Sequence, residues 1–239
     1  MKNHIYLTIT LALVFSSCST EKEEPIQEPT PQSKYPAGSV FGPSGPTIVV
    51  DVTNPKTGKT WMDRNLGATR AATSSTDVES FGDLYQWGRG ADGHQLRTST
   101  TTTSLSSSDQ PGNGSFITIT SIISERDWRS PQNNNLWQGV IGINNPCPSG
   151  YRLPTIEEWN TETLSWGSNN SAGAFSSPLK LPNAGGRNEN GVLFAGGGSG
   201  FYWSSTVSGI GAKILAFSGV LSLSETPRAI GRAVRCIKD

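Results

Sequence analysis

The segment at residues 146–159, Pro-Cys-Pro-Ser-Gly-Tyr-Arg-Leu-Pro-Thr-Ile-Glu-Glu-Trp, constrains the fold more than any other stretch of this chain. Its prolines lock φ and its glycine allows positive φ, so the backbone must reach the following residues through a tight turn. Thr155 and Glu158 then form the Thr-x-x-Glu pattern of a capping box, in which each side chain accepts from the other residue's backbone N–H. The pattern predicts a short helix from Ile156 to about Leu164.

Elsewhere the apolar residues occur in short runs between turn residues, which is typical of short strands. Residues 48–52 and 60–63 predict a hairpin across the turn cluster at 54–58. Residues 97–115 are nearly all Thr, Ser, Asp, Gly and Asn, which predicts a long loop. Further strands are predicted at 116–119, 179–182, 201–205, 212–218 and 231–238, with a short helix or strand within 81–89. The pattern predicts an α+β fold with short, mostly antiparallel strands, one or two short helices and long loops.

Residues 1–17 have the features of a signal peptide that takes no part in the fold. Lys2 precedes an apolar run at 5–15 that is too short to span a bilayer. The run leads through two serines to Cys18, and this pattern resembles the lipobox of bacterial lipoproteins, whose cysteine becomes the lipidated first residue. An ordinary signal peptide with an incidental cysteine is the alternative. Acylation by more than one chain anchors a protein stably, so we expect this one on the outer membrane, lipid-anchored and exposed at the cell surface.

Residues 18–46 are expected to form the lipid anchor and a disordered linker. Lys22, Glu23 and Glu24 follow the cysteine closely and resemble the surface-export signal of Bacteroidetes lipoproteins, although they equally suit a solvated charged tether. The stretch is rich in Pro, Glu, Gln, Ser and Gly, and it has too few apolar residues to bury a core. It would hold a folded domain, residues 47–239, away from the membrane.

Charge and histidine content exclude several classes of function. The 19 basic and 19 acidic residues balance, so nothing indicates a nucleic-acid partner. His94 is the only histidine after the signal segment, which excludes a multi-histidine metal site and leaves one candidate base for a catalytic triad. It follows Asp92 and Gly93 in a turn, so we interpret it as a hydrogen-bonding residue. Glu157 and Glu158 are adjacent and cannot face each other across a cleft as glycosidase carboxylates do. We expect no enzyme.

Six motifs follow one another along residues 47–239. They are Gly-Lys-Thr-Trp-Met-Asp-Arg-Asn-Leu-Gly at 58–67, Leu-Tyr-Gln-Trp-Gly-Arg at 84–89, Cys-Pro-Ser-Gly-Tyr-Arg-Leu-Pro-Thr-Ile-Glu-Glu-Trp at 147–159, Leu-Pro-Asn-Ala-Gly-Gly-Arg at 181–187, Tyr-Trp-Ser-Ser at 202–205 and Val-Arg-Cys-Ile-Lys-Asp at 234–239. Together they resemble the Fibrobacter succinogenes major paralogous domain family and its relatives with a C-type-lectin-like fold. The resemblance implies a lectin-like domain whose terminal strands pair and are held by a disulfide. It implies no activity, because such folds carry many functions.

With Cys18 lipidated, Cys147 and Cys236 remain as an even pair in an exported protein, for which a disulfide is expected. The alternative is a redox or catalytic thiol pair, as in the formylglycine-generating enzyme, a relative of this fold. The positions of the two cysteines, before the helix and in the last strand, favour the structural bridge. In the chain-entropy model such a loop closure stabilises the fold by on the order of 4–5 kcal/mol.

Ligand contacts are predicted in polar stretches rather than in the six motifs. Trp128, Trp137 and Trp166 lie in such stretches and are candidates for stacking on a sugar ring. Trp128 and Trp137 are expected to be pinned into the surface by their rings. The other candidates share one oxygen-rich loop and are Asn183, Arg187, Asn188, Glu189 and Asn190. The Glu-Pro-Asn and Trp-Asn-Asp runs of calcium-dependent lectins are missing from the sequence. One glutamate among asparagines supplies little of the carboxylate charge that a calcium site needs. We therefore expect no cofactor and do not favour calcium.

The sequence therefore predicts a cell-surface lipoprotein whose lectin-like domain binds a glycan or a surface protein without catalysis. The motif arginines, Arg64, Arg89, Arg152 and Arg235, are expected to bridge loop carbonyls or acids such as Asp63 instead of binding ligand. The alternative function is a structural or adhesion subunit of a surface assembly, such as a fimbrial tip or accessory component. In that case the sheet edges and the 97–115 loop would engage another chain.

Overall fold

The computed structural model describes residues 45–123 and 125–239, together with the backbone of residues 40–42. All of these residues belong to one compact unit, Tyr35–Asp239. The predicted signal peptide, Cys18 and most of the predicted linker lie outside the described residues. Within the described part of the chain, no helix is long and apolar enough to cross a membrane.

Short strands and two α-helices make up the regular structure of the described residues, which confirms the predicted α+β class. The strands are β1 Val40–Gly42, β2 Gly45–Thr47, β3 Asp51–Thr53, β4 Thr60–Met62, β5 Tyr85–Gln86, β6 Thr101–Thr102, β7 Phe116–Ile117, β8 Tyr151–Arg152, β9 Gly186–Arg187, β10 Leu193–Phe194, β11 Gly200–Ser208, β12 Gly211–Phe217, β13 Leu221–Thr226, β14 Gly231–Arg232 and β15 Ile237–Lys238. The helices are α1 Ile156–Leu164 and α2 Ser171–Ser176, and a single 3-10 turn spans Val78–Ser80. β1 and β2 pair as a hairpin at the end of the segment predicted to be a linker, and β2 extends to Thr47, the first residue of the predicted domain.

The beginning and the end of the folded unit meet in one four-stranded sheet, with the order β3-β4-β15-β8. The predicted hairpin is confirmed, with Val52 opposite Trp61, but β3 begins at Asp51 because residues 48–50 extend beyond the end of β4. Ile237 of β15 pairs with Trp61 on one side and with Arg152 on the other. The C-terminal strand is therefore central in this sheet.

The longest strands form a second antiparallel sheet, β11-β12-β13, and a third sheet has the order β10-β9-β14-β5. The predicted strands at 201–205 and 212–218 correspond to β11 and β12, whereas β13 and α2 were not predicted. The predicted strand at 231–238 is wrong as one element. It divides into β14 and β15, because the residues between them change partners: Ala233 N donates to Phe201 O, and Leu66 N donates to Val234 O.

The strand predicted at 179–182 is also wrong. Lys180 has φ of +45°, in the left-handed region, and so the chain turns there instead of continuing as a strand. Leu179 and Leu181 nevertheless point into the core and are fully buried. Their burial explains the apolar pattern without a strand.

The helix start and the disulfide are both confirmed. Thr155 Oγ1 accepts from Glu158 N at 3.2 Å, and Glu158 Oε2 accepts from Thr155 N at 2.9 Å. Arg152 binds the same glutamate with both terminal nitrogens, at 2.7 and 2.9 Å. Cys147 and Cys236 are bonded, with their Cα atoms 5.9 Å apart. The bridge ties the segment before α1 to the residue before β15.

A fold with such short strands leaves many buried backbone carbonyls without a strand partner, and buried carbonyls need donors. Tryptophan and arginine side chains supply them. Indole N–H groups donate from Trp87 to Ser204 O, from Trp159 to Trp203 O and from Trp203 to Tyr85 O. Guanidinium groups donate from Arg64 to Thr69 O, from Arg97 to Gly82 O and Ala184 O, and from Arg235 to Met62 O and Leu179 O. The predicted bridging role of the motif arginines is confirmed, and Arg64 also pairs with Asp63 at 2.7 Å.

Candidate functional site

A pocket of about 420 Å³ opens between two loops that follow β5 and β6. Its lining is glycine-rich and combines polar with apolar surface, and it consists of Gly90, Ala91, Asp92, Asp109, Gln110, Pro111, Gly112, Asn113, Gly114 and Asn144. Six of these residues, 109–114, belong to the stretch that the sequence predicted as a long loop. The volume lies within the range of about 300–1,000 Å³ that is usual for small-ligand sites.

Arg89 fixes the two walls of the pocket relative to each other. Its side chain is fully buried and donates to Asp92 Oδ2 at 2.7 Å on one wall and to Asn113 O at 3.1 Å on the other. Gly93 and Gly114 touch where the walls cross, and a Cβ on Gly93, whose φ is +114°, would lie 3.2 Å from Gly114 Cα. Only glycine suits that position.

Asn144 also connects the two walls of the pocket. Its side-chain amide donates to Gly88 O at 2.9 Å and to Asp109 O at 2.6 Å. Its own carbonyl accepts from the indole of Trp137 at 2.9 Å. The pocket floor is therefore hydrogen-bonded directly to the core.

His94 is a structural part of this site and not a base. Its Nδ1 lies 2.6 Å from Asp92 Oδ1, and its Nε2 accepts from Gln86 N at 3.0 Å, so the ring is neutral with its proton on Nδ1. Burial lowers the pKa of His94 to about 4, against the attraction of Asp92. Both ring nitrogens are engaged, so the prediction of a hydrogen-bonding histidine is confirmed.

Two carboxylates face the pocket, and each is backed by an arginine. Burial raises the pKa of Asp92, but the hydrogen bond from His94 and the positive charge of Arg89 outweigh it and leave that pKa below its usual value. Asp109 Oδ1 lies 2.8 Å from Arg129 Nε and accepts from Asn133 Nδ2 at 3.0 Å. Among the described residues no lysine, arginine or histidine lines the pocket. The pocket thus presents oxygen acceptors with their charge compensated from behind.

The placement of Trp128 and Trp137 at the surface was wrong. Both rings are fully buried in the core that also contains Trp87 and Trp203. Their indole N–H groups donate to Trp87 O at 2.7 Å and to Asn144 O at 2.9 Å. Because both rings are fully buried, neither has a face exposed for stacking on a sugar.

Trp166 lies apart from those two rings, in a second core cluster. It is 9% exposed and packs edge-on against Phe217. Its Nε1 donates to Glu162, whose pKa is raised by burial. The edge of the ring lines a depression of about 180 Å³ together with Pro55 and Lys56.

The predicted ligand residues of the oxygen-rich loop at 183–190 make hydrogen bonds to other parts of the described chain or within the loop. Arg187 is buried over the ring of Phe116 and donates to Gly191 O and Ser99 O, each at 2.7 Å. Asn183 is buried too, and its amide donates to Gly197 O at 3.1 Å. Asn188 Oδ1 caps the turn by accepting from the N–H groups of Asn190 and Val192. Glu189 binds through its backbone oxygen, which accepts from Ile119 N.

No group of three or more His, Cys, Asp or Glu side chains that could hold a metal ion occurs in the part of the chain that the structure describes. The pocket residues 109–114 and Asn144 were not predicted as a site. Pro111-Gly112-Asn113-Gly114 is a recognisable turn sequence, but nothing in the sequence connects it to Asp92.

Comparisons with protein-family models, with curated proteins and with solved structures found no match to this chain.

Proposed function

We propose that this chain is a cell-surface lipoprotein, anchored through Cys18, whose C-type-lectin-like domain binds a glycan or a surface protein without catalysis. The six motifs support membership of the Fibrobacter succinogenes major paralogous domain family. The signal segment and the position of Cys18 support an outer-membrane anchor. The Cys147–Cys236 bridge suits an exported protein.

The pocket between the two loops is the observation that carries this function. Its polar groups are positioned by buried side chains and not by flexible contacts, as binding sites require. In the described residues around it, His94 has both nitrogens engaged and Asp92 has both oxygens engaged, so neither supplies a free base or nucleophile. A pocket whose shape is fixed by buried side chains and whose histidine is fully engaged is suited to binding. We propose no cofactor.

A glycan array tests the binding function. The full-length chain, purified in mild detergent and checked for its disulfide and for cooperative unfolding, is applied with calcium and with chelator. We expect saturable binding that chelator leaves unchanged. If a folded sample binds no glycan, the glycan function is wrong. Binding abolished by chelator would instead restore the Asn183–Asn190 loop as a metal site.

Lipidation is tested separately in cells. Cys18→Ala should abolish incorporation of labelled palmitate and release the protein from the membrane fraction. Surface exposure is then tested by protease treatment of intact cells. A membrane-bound Cys18→Ala variant would contradict the proposed anchor.

The second candidate function is a subunit of a surface assembly, and the edge of β13 favours it. In the part of the chain that the structure describes, no strand pairs with the outer side of Leu221–Thr226. Leu221 and Leu223 pack on the core but stay partly exposed. Free strand edges are common sites of pairing with another chain. Crosslinking on intact cells, followed by identification of the captured neighbour, distinguishes this function from glycan binding.

A further inference from the structure

We infer that the pocket lined by residues 90–92, residues 109–114 and Asn144 is the glycan site, that it takes a neutral sugar and that it rejects acidic sugars. This inference rests on the proposed binding function and deepens it. It names the site and the chemical class of the ligand. The argument begins with the acceptors that face the pocket.

Asp109 offers the carboxylate oxygen that the protein engages least. Its two interior contacts, Arg129 and Asn133, both reach Oδ1. Oδ2 makes no hydrogen bond to any of the described residues, and the side chain is 30% exposed. A carboxylate oxygen accepts readily from a hydroxyl, and such charge-assisted bonds are stronger than neutral ones.

Asp92 lies on the opposite wall and is similarly exposed, at 29% of its side chain. Both of its oxygens already accept from Arg89 or His94, but a carboxylate has about four acceptor positions. The exposed side chain of Gln110 adds an amide donor and acceptor at the rim. A sugar, which carries several hydroxyl groups that both donate and accept, matches this combination.

The arrangement of charge excludes an anionic ligand. Arg89 is fully buried, and the side chain of Arg129 is only 14% exposed, so both guanidinium groups lie behind the carboxylates. A carboxylated or sulphated sugar would meet Asp92 and Asp109 first and would find no cation among the lining residues. Like charges placed against a ligand are an effective means of rejection.

The same arginines argue against a metal-dependent mode of binding. Each carboxylate already has a cationic partner, so a divalent ion would have to compete with a guanidinium group at both positions. Calcium needs about six to eight oxygen ligands with carboxylate charge available. Binding of the sugar should therefore be direct and independent of calcium.

The test compares neutral and acidic oligosaccharides on the full-length chain. The neutral probes are mannose, glucose and galactose oligosaccharides, and the acidic probes are polygalacturonate and sulphated oligosaccharides. Affinity is measured by biolayer interferometry at two salt concentrations, with and without chelator. We expect saturable binding to at least one neutral probe, no binding to the acidic probes and no effect of chelator.

Variants then locate the site. Asp109→Asn should lower affinity at least about tenfold, because the ligand loses a charged acceptor. Gln110→Trp should abolish binding, because an indole on the exposed rim fills the pocket. Glu157→Gln removes one negative charge from an exposed position on α1, outside the pocket, and should leave binding unchanged. All variants are compared by thermal unfolding, and Gln110→Trp keeps the test valid if loss of the Arg129 pair unfolds Asp109→Asn.

The outcomes separate the site, the ligand class and the function. Neutral-sugar binding that survives in folded Gln110→Trp would place the site elsewhere while the proposed function stands. Preference for the acidic probes would overturn the ligand class. Absence of binding to every probe by a folded protein would overturn this inference together with the glycan function.

Discussion

The buried histidine should give the free energy of unfolding a measurable dependence on pH. His94 is neutral in the folded protein, where burial lowers its pKa to about 4, while its ordinary value is 6.5. Between these two values the unfolded chain holds a proton that the folded chain lacks. Stability therefore rises with pH across this window and is lost as pH falls from 6.5 to 4. At about 1.4 kcal/mol per pH unit, the contribution amounts to about 3 kcal/mol.

His94→Gln removes the titrating ring, and the amide oxygen of glutamine can still accept from Gln86 N. The variant should be less stable than the wild type at pH 7, because the carboxylate of Asp92 loses the hydrogen bond from His94 Nδ1. The difference in free energy of unfolding between the two proteins should then shrink by about 3 kcal/mol between pH 7 and pH 4. The wild type loses this stability because its unfolded chain binds a proton at His94, whereas glutamine does not titrate. Urea unfolding followed by tryptophan fluorescence at half-unit pH steps measures the deficit.

The comparison must be with the wild type, because a second buried group acts in the opposite direction. Burial raises the pKa of Asp127 to about 7, against the attraction of Arg228, which lies 3.5 Å away. The folded chain then holds a proton that the unfolded chain has lost, and stability falls as pH rises toward 7. The stability of Asp127→Asn relative to the wild type should therefore rise with pH. Parallel profiles of wild type and His94→Gln would refute the assignment of a neutral buried histidine.

Three further predictions concern stability. Replacing both Cys147 and Cys236 with serine should cost about 4 kcal/mol by the chain-entropy argument; denaturant unfolding measures it, and a midpoint unchanged from the oxidised wild type would mean that the bridge closes no costly loop. Thr155→Ala should cost about 1 kcal/mol through the lost helix cap, whereas Thr161→Ala, an exposed change within α1, should cost much less in the same assay. Trp128→Ala should cost about 3–5 kcal/mol because the ring is fully buried, and a folded variant with the wild-type melting temperature would show that this ring is not in the core.

The helix start and the disulfide were predictable because each depends on few residues. The capping box is a contact between Thr155 and Glu158, three positions apart, and its chemistry is local. The bridge needs only two cysteines remaining in an exported chain. The family resemblance of the six motifs also implied that the terminal strands pair, as Ile237 and Trp61 do.

The positions of the tryptophans were harder to predict, because polar neighbours in the sequence do not determine burial in a fold made of loops. Trp128 and Trp137 lie among Ser, Asn and Gln, yet each ring is buried where a distant loop carbonyl needs a donor. β13 was missed for a related reason. Its Leu-Ser-Leu-Ser alternation is short, and only its pairing with β12 distinguishes it from another polar loop.

The pocket itself follows from the same use of side chains in place of strands. Arg89 satisfies two carbonyls of the 109–115 stretch, Asn113 O and Ser115 O, and through Asp92 it also fixes the facing wall. A buried donor that serves both walls makes the shape of the pocket part of the core, although the loop itself has almost no regular structure. The exposed side chain of Gln110 makes no contribution to this frame, whereas buried Arg89 holds it together. Under the proposed binding function, ligand specificity would therefore depend on exposed loop residues, and the shape of the pocket on buried ones.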